Sequence, residues 1–532
     1  MVTARAYTDI PKRFNTAGPC ESARHYILPP LLRLPAAQRL VAQGDYFVLH
    51  APRQSGKTTF LRHFARELTA QGTVVALYLS CEAAEACGDR LAAAQEVIVR
   101  EIFREGGRQL PEELRPPALP ASFSSETILS DFLAAWCEAC PRPVVVFFDE
   151  IDAVRGQSLI SVLRQLRAGF PNRPKSAPWS VMLCGLRDVR EYKGASGGSD
   201  RLGTASPFNI KVASLSLAMF TAEEVEALLF QHTTETGQMF EPEASARIVE
   251  LGGGQPWLVN ALAREIVEEM RVEGPIQLAH VDEAKERLIH DRATHLDSLV
   301  SALTDPRVKR VIELLLSGES ASLDPVFDDD VHYVVDLGLV KDRPLRMANP
   351  IYTEVVARVL ANPAQRMVFA DPRAFVLPSG RFSMNVFLDE FRAFWIEHGE
   401  TMATSATYRE SGAQLVLMAF LHRVVNGGGV VLREYGIGRK RIDLLVTWPY
   451  TDENGKRVVQ REAIELKVWR DDRKDPLADG LKQLDAYMAG LGLDNGYLIL
   501  FDRRTTAEPL EERVREEAAT TAGGRTVRIL RA

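Results

Sequence analysis

The feature that most restricts the fold lies near the N-terminus. Residues 51–59 read Ala51-Pro52-Arg53-Gln54-Ser55-Gly56-Lys57-Thr58-Thr59, directly after the apolar run Tyr46-Phe47-Val48-Leu49-His50 and directly before the helix-patterned run 60–68. A strand that turns through a short loop into a helix opens a parallel α/β sheet, and this loop carries the parts that hold phosphate. Backbone N–H groups converge on an anion at a helix N-terminus, and Gly56 lets the chain approach closely. Lys57 reaches the β- and γ-phosphates, and Thr58 presents a hydroxyl to Mg²⁺. Ala51, Pro52, Arg53, Gln54, Ser55, Gly56, Lys57, Thr58 and Thr59 are therefore the candidate nucleotide-binding residues. The pattern usually opens on glycine. Ala51 stands there, which restricts the backbone at that corner but removes no charged or metal-binding group.

A phosphate loop needs an acid to hold its metal, and the apolar run 144–148 ends in Asp149-Glu150. Five successive apolar residues indicate a strand covered on both faces, so Asp149 emerges at the carboxyl edge of the sheet, where α/β folds bind ligands. Asp149 is the expected metal residue beside Thr58, and Glu150 the one expected to polarise an attacking water. ATP and Mg²⁺ are the cofactors so implied.

Further strands are expected over residues 73–79, 179–184 and 208–212, which gives a five-strand, helix-flanked sheet. After the run 179–184 comes Arg187-Asp188; Arg187 is a candidate γ-phosphate sensor, with a plain Arg187–Asp188 pair as the alternative. Residues 194–207, rich in Gly and Ser, read as a loop. Thr221-Ala222-Glu223-Glu224 is a capping box, and Gly252-Gly253-Gly254-Gln255-Pro256 ends one helix and starts another, so a helical lid is expected.

Together these residues resemble the AAA-like ATPases close to the archaeal-ATPase and STAND groups, in which a Gly-Gly-x-Pro turn sits in the lid. The resemblance covers roughly residues 10–360. It implies an ATP-dependent P-loop protein whose Pro/Gly-rich lead-in, with Phe14-Asn15-Thr16-Ala17-Gly18-Pro19-Cys20, packs near the base. Within 306–360, helix-like 307–315 and 328–339, strand-like 345–348 and helix-like 351–360 suggest a winged helix. It is read as a packing or regulatory element, because no strongly basic recognition helix is present.

A Pro-rich connection at 363–380 separates a second chemistry. Residues 410–421 read as a buried helix and 430–434 as a strand. Strands around Asp443 and over 462–468 flank a hairpin turn at Thr451-Asp452-Glu453-Asn454-Gly455. Because the period of a strand is two, Glu465 and Lys467 share a face, and Asp443 on the neighbouring strand can meet them. Two converging carboxylates make a hard-oxygen site for Mg²⁺ or Mn²⁺, and an adjacent lysine suits phosphodiester hydrolysis. On the next helix, Gln483 and Tyr487 stand at i,i+4. This Asp…Glu-x-Lys arrangement is similar to the PD-(D/E)XK nuclease superfamily, and Gln483-x-x-x-Tyr487 resembles the motif of its members that act alongside helicases. Glu410 matches the acid often found on the first helix, and Ile442-Asp443 replaces the usual Pro-Asp. The catalytic candidates implied there are Asp443, Glu465, Lys467, Gln483, Tyr487 and Glu410, with Asp443 and Glu465 as metal ligands. The basic stretches Arg439-Lys440-Arg441 and Arg470, Arg473, Lys474 are candidate DNA-backbone contacts, with solvated turns as the alternative.

Net charge is −7 and hydrophobic residues make up 46% of the 532, so the chain folds around real cores and any nucleic-acid contact must be local. No apolar run approaches the ~18 residues that span a bilayer, and residues 1–15 lack a signal-peptide core. All six cysteines fall within the first 184 residues without disulfide-framework spacing. A cytoplasmic protein without a membrane partner is expected, and the Cys137…Cys140 pair reads as buried or incidental thiols.

The fold class expected is thus α/β: a P-loop NTPase parallel sheet with helical lid and winged helix, plus a C-terminal α/β PD-(D/E)XK nuclease-like domain. The boundaries are 1–40 for the lead-in packing on the ATPase, 41–215 for the ATPase core, 216–295 for the lid, 296–362 for the winged-helix-like module, 363–380 for the linker and 381–532 for the nuclease-like domain. The implied function is ATP hydrolysis coupled to a Mg²⁺-dependent nuclease acting on DNA, a layout found in defence or mobile-element settings. The alternative is a STAND-like nucleotide-switched regulator whose C-terminal domain only binds nucleic acid or a protein. A homo-oligomer is left open.

Overall fold

The computed structural model describes residues 11–119, 127–185, 211–291, 294–316, 323–324, 328–365, 372–399, 412–425, 429–437, 440–471 and 473–532. Arg187, Glu410, Arg439 and the loop 194–207 lie outside the described residues. The chain divides into two compact units. The first takes Met1–Asp297 and His332–Ile351, and the second takes Ser298–Val331 and Tyr352–Ala532.

In the first unit, β1 (Tyr46–His50), β2 (Val75–Ser80), β3 (Val144–Asp149), β4 (Ser180–Gly185) and β5 (Lys211–Ser216) form one sheet in the order β2-β3-β4-β1-β5. Every pairing is parallel. Parallel strands need crossovers, and these helices cover both faces. Side-chain alternation divides the apolar runs between two cores. Tyr46, Val48, Val144, Val146 and Phe148 face a layer made by α3 (Leu91–Gln109), α4 (Ile128–Ala139) and α5 (Gly156–Gly169), with Trp136 at its centre. Phe47, Leu49, Val145 and Phe147 face α1 (Pro35–Gln43) and α2 (Lys57–Ala70), through Leu40, Phe60 and Phe64. Cys137 sits in the first layer, where burial pushes its thiol up to about 12. The fifth strand runs to Ser216 rather than ending at 212, because Ala213 and Leu215 are the residues packed on the core while Val212 is exposed.

After β5 come α6 (Ala222–Thr236), α7 (Pro242–Gly252), α8 (Pro256–Arg264) and α9 (Leu278–His290). The capping box starts α6: Thr221 Oγ1 accepts from the Glu224 amide and the Glu224 carboxylate accepts from the Thr221 amide. Between α7 and α8, Gly253 and Gly254 adopt φ of +56° and +81°. The Phe220 amide donates to the Gly254 carbonyl at 2.8 Å. Then follow α10 (Thr294–Ala302), α11 (Pro306–Leu316), α12 (Asp329–Asp336), the hairpin β6 (Val340–Asp342) and β7 (Leu345–Met347), and α13 (Pro350–Gln365).

The second unit carries a six-stranded sheet: β8 (Val430–Ile437), β9 (Lys440–Thr451), β10 (Arg457–Trp469), β11 (Asn495–Asp502), β12 (Arg515–Thr520) and β13 (Thr526–Arg531), in the order β12-β13-β11-β10-β9-β8. The first three are an antiparallel meander whose turn is held by Asp452, accepting from the Asn454 and Lys456 amides. β10 and β11 are parallel, so the chain crosses over through α14 (Leu477–Leu491). Part of the expected linker belongs to this unit's core. Phe375 and Phe382 are buried and stack at 6.4 Å, and Trp448 Nε1 donates to the Gly380 carbonyl. Among the described residues no helix is long and apolar enough to cross a membrane.

The turn before α8 yields a stability prediction. A Cβ on Gly254 would overlap the Phe220 carbonyl oxygen at a φ that L side chains rarely adopt. Gly254→Ala is expected to destabilise the fold by about 2 kcal/mol or more, read as a lowered denaturation midpoint.

Candidate functional site

The phosphate-loop motif folds as its residues dictate. Gly56 stands at the N-terminus of α2 with φ +91°, and Gln54 also has a positive φ, +58°. Lys57 Nζ donates to the Ala51 and Pro52 carbonyls at 2.6 and 2.8 Å, inside the arc of the loop. Ser55 is fully buried, and its hydroxyl has no hydrogen-bond partner among the described residues. Thr59 Oγ1 accepts from the Cys20 amide at 3.0 Å.

Asp149 ends β3 at 1% exposure. Its Oδ2 accepts from Thr58 Oγ1 at 2.8 Å and from the Tyr78 hydroxyl at 3.3 Å, and its Oδ1 accepts from the Glu150 amide at 3.0 Å. Burial first and Asp149 second push the Tyr78 phenol up, so it remains a donor. Glu150 adopts φ +52°, which turns it out of the strand, and its Oε2 accepts from Ser80 Oγ at 3.1 Å. Desolvation and the neighbouring Asp149 raise its carboxyl. Hydroxyl and acid thus meet as a pair suited to one Mg²⁺, with a second acid beside it.

These groups line a cavity of about 810 Å³. Among its other walls are residues that the loop motif does not announce: the lead-in 15–20, Glu82 and Glu85, and Pro256, Trp257 and Asn260 of α8. Lead-in and helix are tied together. Trp257 Nε1 donates to the Thr16 carbonyl at 2.8 Å, and Asn260 Oδ1 accepts from the Asn15 amide at 3.2 Å. In the sequence these two walls are signalled by the Pro/Gly-rich composition of the lead-in and by the helix break at Gly252–Pro256.

In the second unit, the β9–β10 ladder ends at Ile464↔Leu444, and the Leu466 amide donates to Asp443 Oδ2 at 2.8 Å. Glu465 is 2% exposed. Its Oε1 accepts from Lys467 Nζ at 2.6 Å, and Lys467 also donates to Gln483 Oε1 at 2.7 Å. Glu465 Oε2 is buried without a hydrogen-bond partner among the described residues. Burial first and Asp443 second push the Glu465 carboxyl up to about 7, against the opposing pull of Lys467. Asp443, Glu465, Lys467 and Gln483 are thus brought together. Tyr487, one turn further along α14, is buried against Ile442, Leu484 and Met488. Among the described residues no cluster of three or more His, Cys, Asp or Glu side chains forms a cation site. The two-carboxylate pair with its orphaned oxygen is nonetheless a donor set that fits a divalent cation.

Beyond the strand ends, the loops after β10 and β11 clasp each other. The Arg504 guanidinium lies 3.4 Å from the Trp469 ring centroid, and Asp471 accepts from the Thr505 amide and hydroxyl. Arg473 and Lys474 are exposed there.

No curated protein matches the chain. Among solved structures it is similar to a Walker-type ATPase of Pyrococcus abyssi, at 13% identity, covering 64% of this chain and 99% of that one with a TM-score of 0.47. The ORC1 protein of Aeropyrum pernix, in complex with DNA, is 16% identical, with 64% and 95% covered and a TM-score of 0.36. The RuvB Holliday junction branch migration motor of Thermotoga maritima is 16% identical, with 62% and 92% covered and a TM-score of 0.32. Residues 16–343, more than half of the chain, match the AAA-like domain, and the chain therefore belongs to the AAA-like domain family.

Proposed function

We propose that the chain binds and hydrolyses ATP at residues 51–59, and that this turnover controls a Mg²⁺-dependent nuclease domain in residues 381–532 that acts on DNA phosphodiesters. The observation that carries the ATPase reading is the hydrogen bond from Thr58 to the buried Asp149, lining one cavity with Lys57 and Glu150. The loop amides and Lys57 bind the phosphates, and Thr58 and Asp149 are the residues to hold Mg²⁺. When bound, Mg²⁺ offsets phosphate charge during transfer. Glu150 accepts a proton from the attacking water, and Ser80 holds the Glu150 carboxylate in place.

The nuclease reading is supported by the contiguity of Asp443, Glu465, Lys467 and Gln483. Asp443 and Glu465 are the carboxylates to hold the cation. Bound there, it supplies charge neutralisation and Lewis-acid polarisation of a phosphodiester. Lys467, oriented by Gln483, offsets phosphate charge, and Arg473 and Lys474 offer contacts to the DNA backbone. One observation favours the rival reading, a nucleotide-switched regulator that binds nucleic acid without cutting it. The Lys467 ammonium is already satisfied by Glu465 and Gln483.

Three outcomes test this. Lys57→Ala is expected to weaken ATP binding about 10- to 100-fold, as loss of charged hydrogen bonds does, by calorimetry. Glu150→Gln should keep ATP affinity and hydrolyse at least ~100-fold more slowly; equal turnover would remove Glu150 from the reaction. Plasmid and linear DNA incubated with ATP and Mg²⁺ or Mn²⁺ should be cut by the wild type and left intact by Glu465→Ala. ATP hydrolysis without any cutting by the wild type favours the regulator.

Glu465 also sets a pH dependence. A buried acid raised to about 7 holds its proton more tightly than the unfolded chain does. Its contribution to cation-free stability is therefore full below the ordinary carboxylate range and is lost as pH rises to about 7. Cation binding runs the other way, since it needs the carboxylate. Mn²⁺ affinity of the second unit should climb between pH 6 and pH 8, roughly the span around that raised value, and Glu465→Gln should flatten the profile.

A further inference from the structure

The carbonyl groups of the phosphate loop are all accounted for, and two of the partners come from outside it. Lys57 takes Ala51 and Pro52. Gln255 Nε2 donates to both the Arg53 and the Gln54 carbonyls, each at 3.4 Å, and Arg33 Nη1 donates to the Ser55 carbonyl at 3.3 Å. In a trans peptide the carbonyl of one residue and the amide N–H of the next point in opposite directions. Holding the carbonyls of residues 53, 54 and 55 from outside therefore turns the amides of Gln54, Ser55 and Gly56 the other way. The positive φ of Gln54 bends successive amides towards one point, as in an anion-binding nest.

Neither partner is free to drift. Gln255 Oε1 accepts from the Leu258 amide at 2.8 Å, so the same side chain that touches the loop caps α8. Arg33 also donates to the Ala218 carbonyl and lies 4.7 Å from the Phe220 ring centroid, on the segment that leads from β5 into α6. Both therefore bridge the loop to the lid helices.

We propose that Gln255 and Arg33 are positioning residues for phosphate. They preset the loop amides, and they couple the seating of the lid to the shape of the anion site. This rests on the reading of residues 51–59 as a nucleotide-phosphate site. The sequence marks the glycines and proline around Gln255 as a helix break, but a side chain that serves backbone carbonyls carries no motif of its own.

The test uses the full chain with pyrophosphate, ATP and adenosine as calorimetric probes. Gln255→Ser is chosen because serine is a good helix cap but cannot reach the loop. It is expected to melt with the wild type in the absence of nucleotide and to bind adenosine equally well. Pyrophosphate and ATP should bind about three- to tenfold more weakly, the scale of one or two net hydrogen bonds. Pyrophosphate should also protect the lid helices from hydrogen exchange in the wild type and less so in the variant. Wild-type affinity for pyrophosphate in Gln255→Ser would overturn the proposal, as would a parallel loss of adenosine binding, which marks a merely structural role. Should Gln255→Ser lower the nucleotide-free melting temperature, Arg33→Met, which leaves the cap intact, decides by the same comparison. Failure of the underlying reading looks different: the wild type would not bind pyrophosphate or ATP, or Lys57→Ala would bind them as tightly as the wild type.

Discussion

The first unit is organised by the need to solvate one buried carboxylate. Taking an ion out of water costs several kcal/mol unless donors replace the water, and Asp149 is 1% exposed. Its donors come from three places: Thr58 on α2, Tyr78 on β2 and the backbone at the end of β3. They can converge only if β2 and β3 pair in the register that sets Ser80 against Asp149 and if α2 lies across the sheet edge. The placement of the phosphate loop is therefore inherited from strand pairing. The same register puts Ser80 beside Glu150, so the geometry of the second acid follows from the first.

The second unit meets the same problem and leaves it half solved. Asp443 gives an oxygen to the Leu466 amide and Glu465 gives one to Lys467, but Glu465 Oε2, at 2% residue exposure, has no hydrogen-bond partner among the described residues. The raised acid follows directly: a proton is the cheapest neutraliser the chain can supply. A divalent cation would do the same from outside. That contrast separates the two carboxylates physically. Asp149 finds its donors within its own fold, whereas Glu465 keeps one oxygen with no partner among the described residues.

How much of this was legible in the sequence depends on how far apart the partners lie and on what they bond to. Strand, loop and helix at residues 46–68 are local, and the run ending in Asp149 identifies itself by its unbroken apolar character, so both ends of the Thr58–Asp149 bond were readable before the fold. Glu465 and Lys467 follow from the period of a strand, and Gln483 from the resemblance of Gln483-x-x-x-Tyr487 to a nuclease-superfamily motif. Gln483 and Tyr487 are one turn apart on α14, where Gln483 is exposed and Tyr487 is buried. Ser80, Tyr78, Arg33 and Gln255 were silent because each acts through long-range register or through backbone atoms, which leave no residue pattern.

The lead-in shows the same limit and adds a mechanical consequence. Its backbone reaches α2 through Cys20 and Thr59, and it reaches the lid through Thr16 with Trp257 and Arg264, and through Tyr26, which meets His232 at 3.2 Å. Three of the stretches that wall the cavity are distant in sequence: residues 15–20, the phosphate loop, and the start of α8. A ligand that touches all three favours the arrangement in which they are together, by its differential affinity for that arrangement over any other. Occupancy of this one small polar site therefore biases the position of α8, whose Pro256, Trp257 and Asn260 form part of its wall.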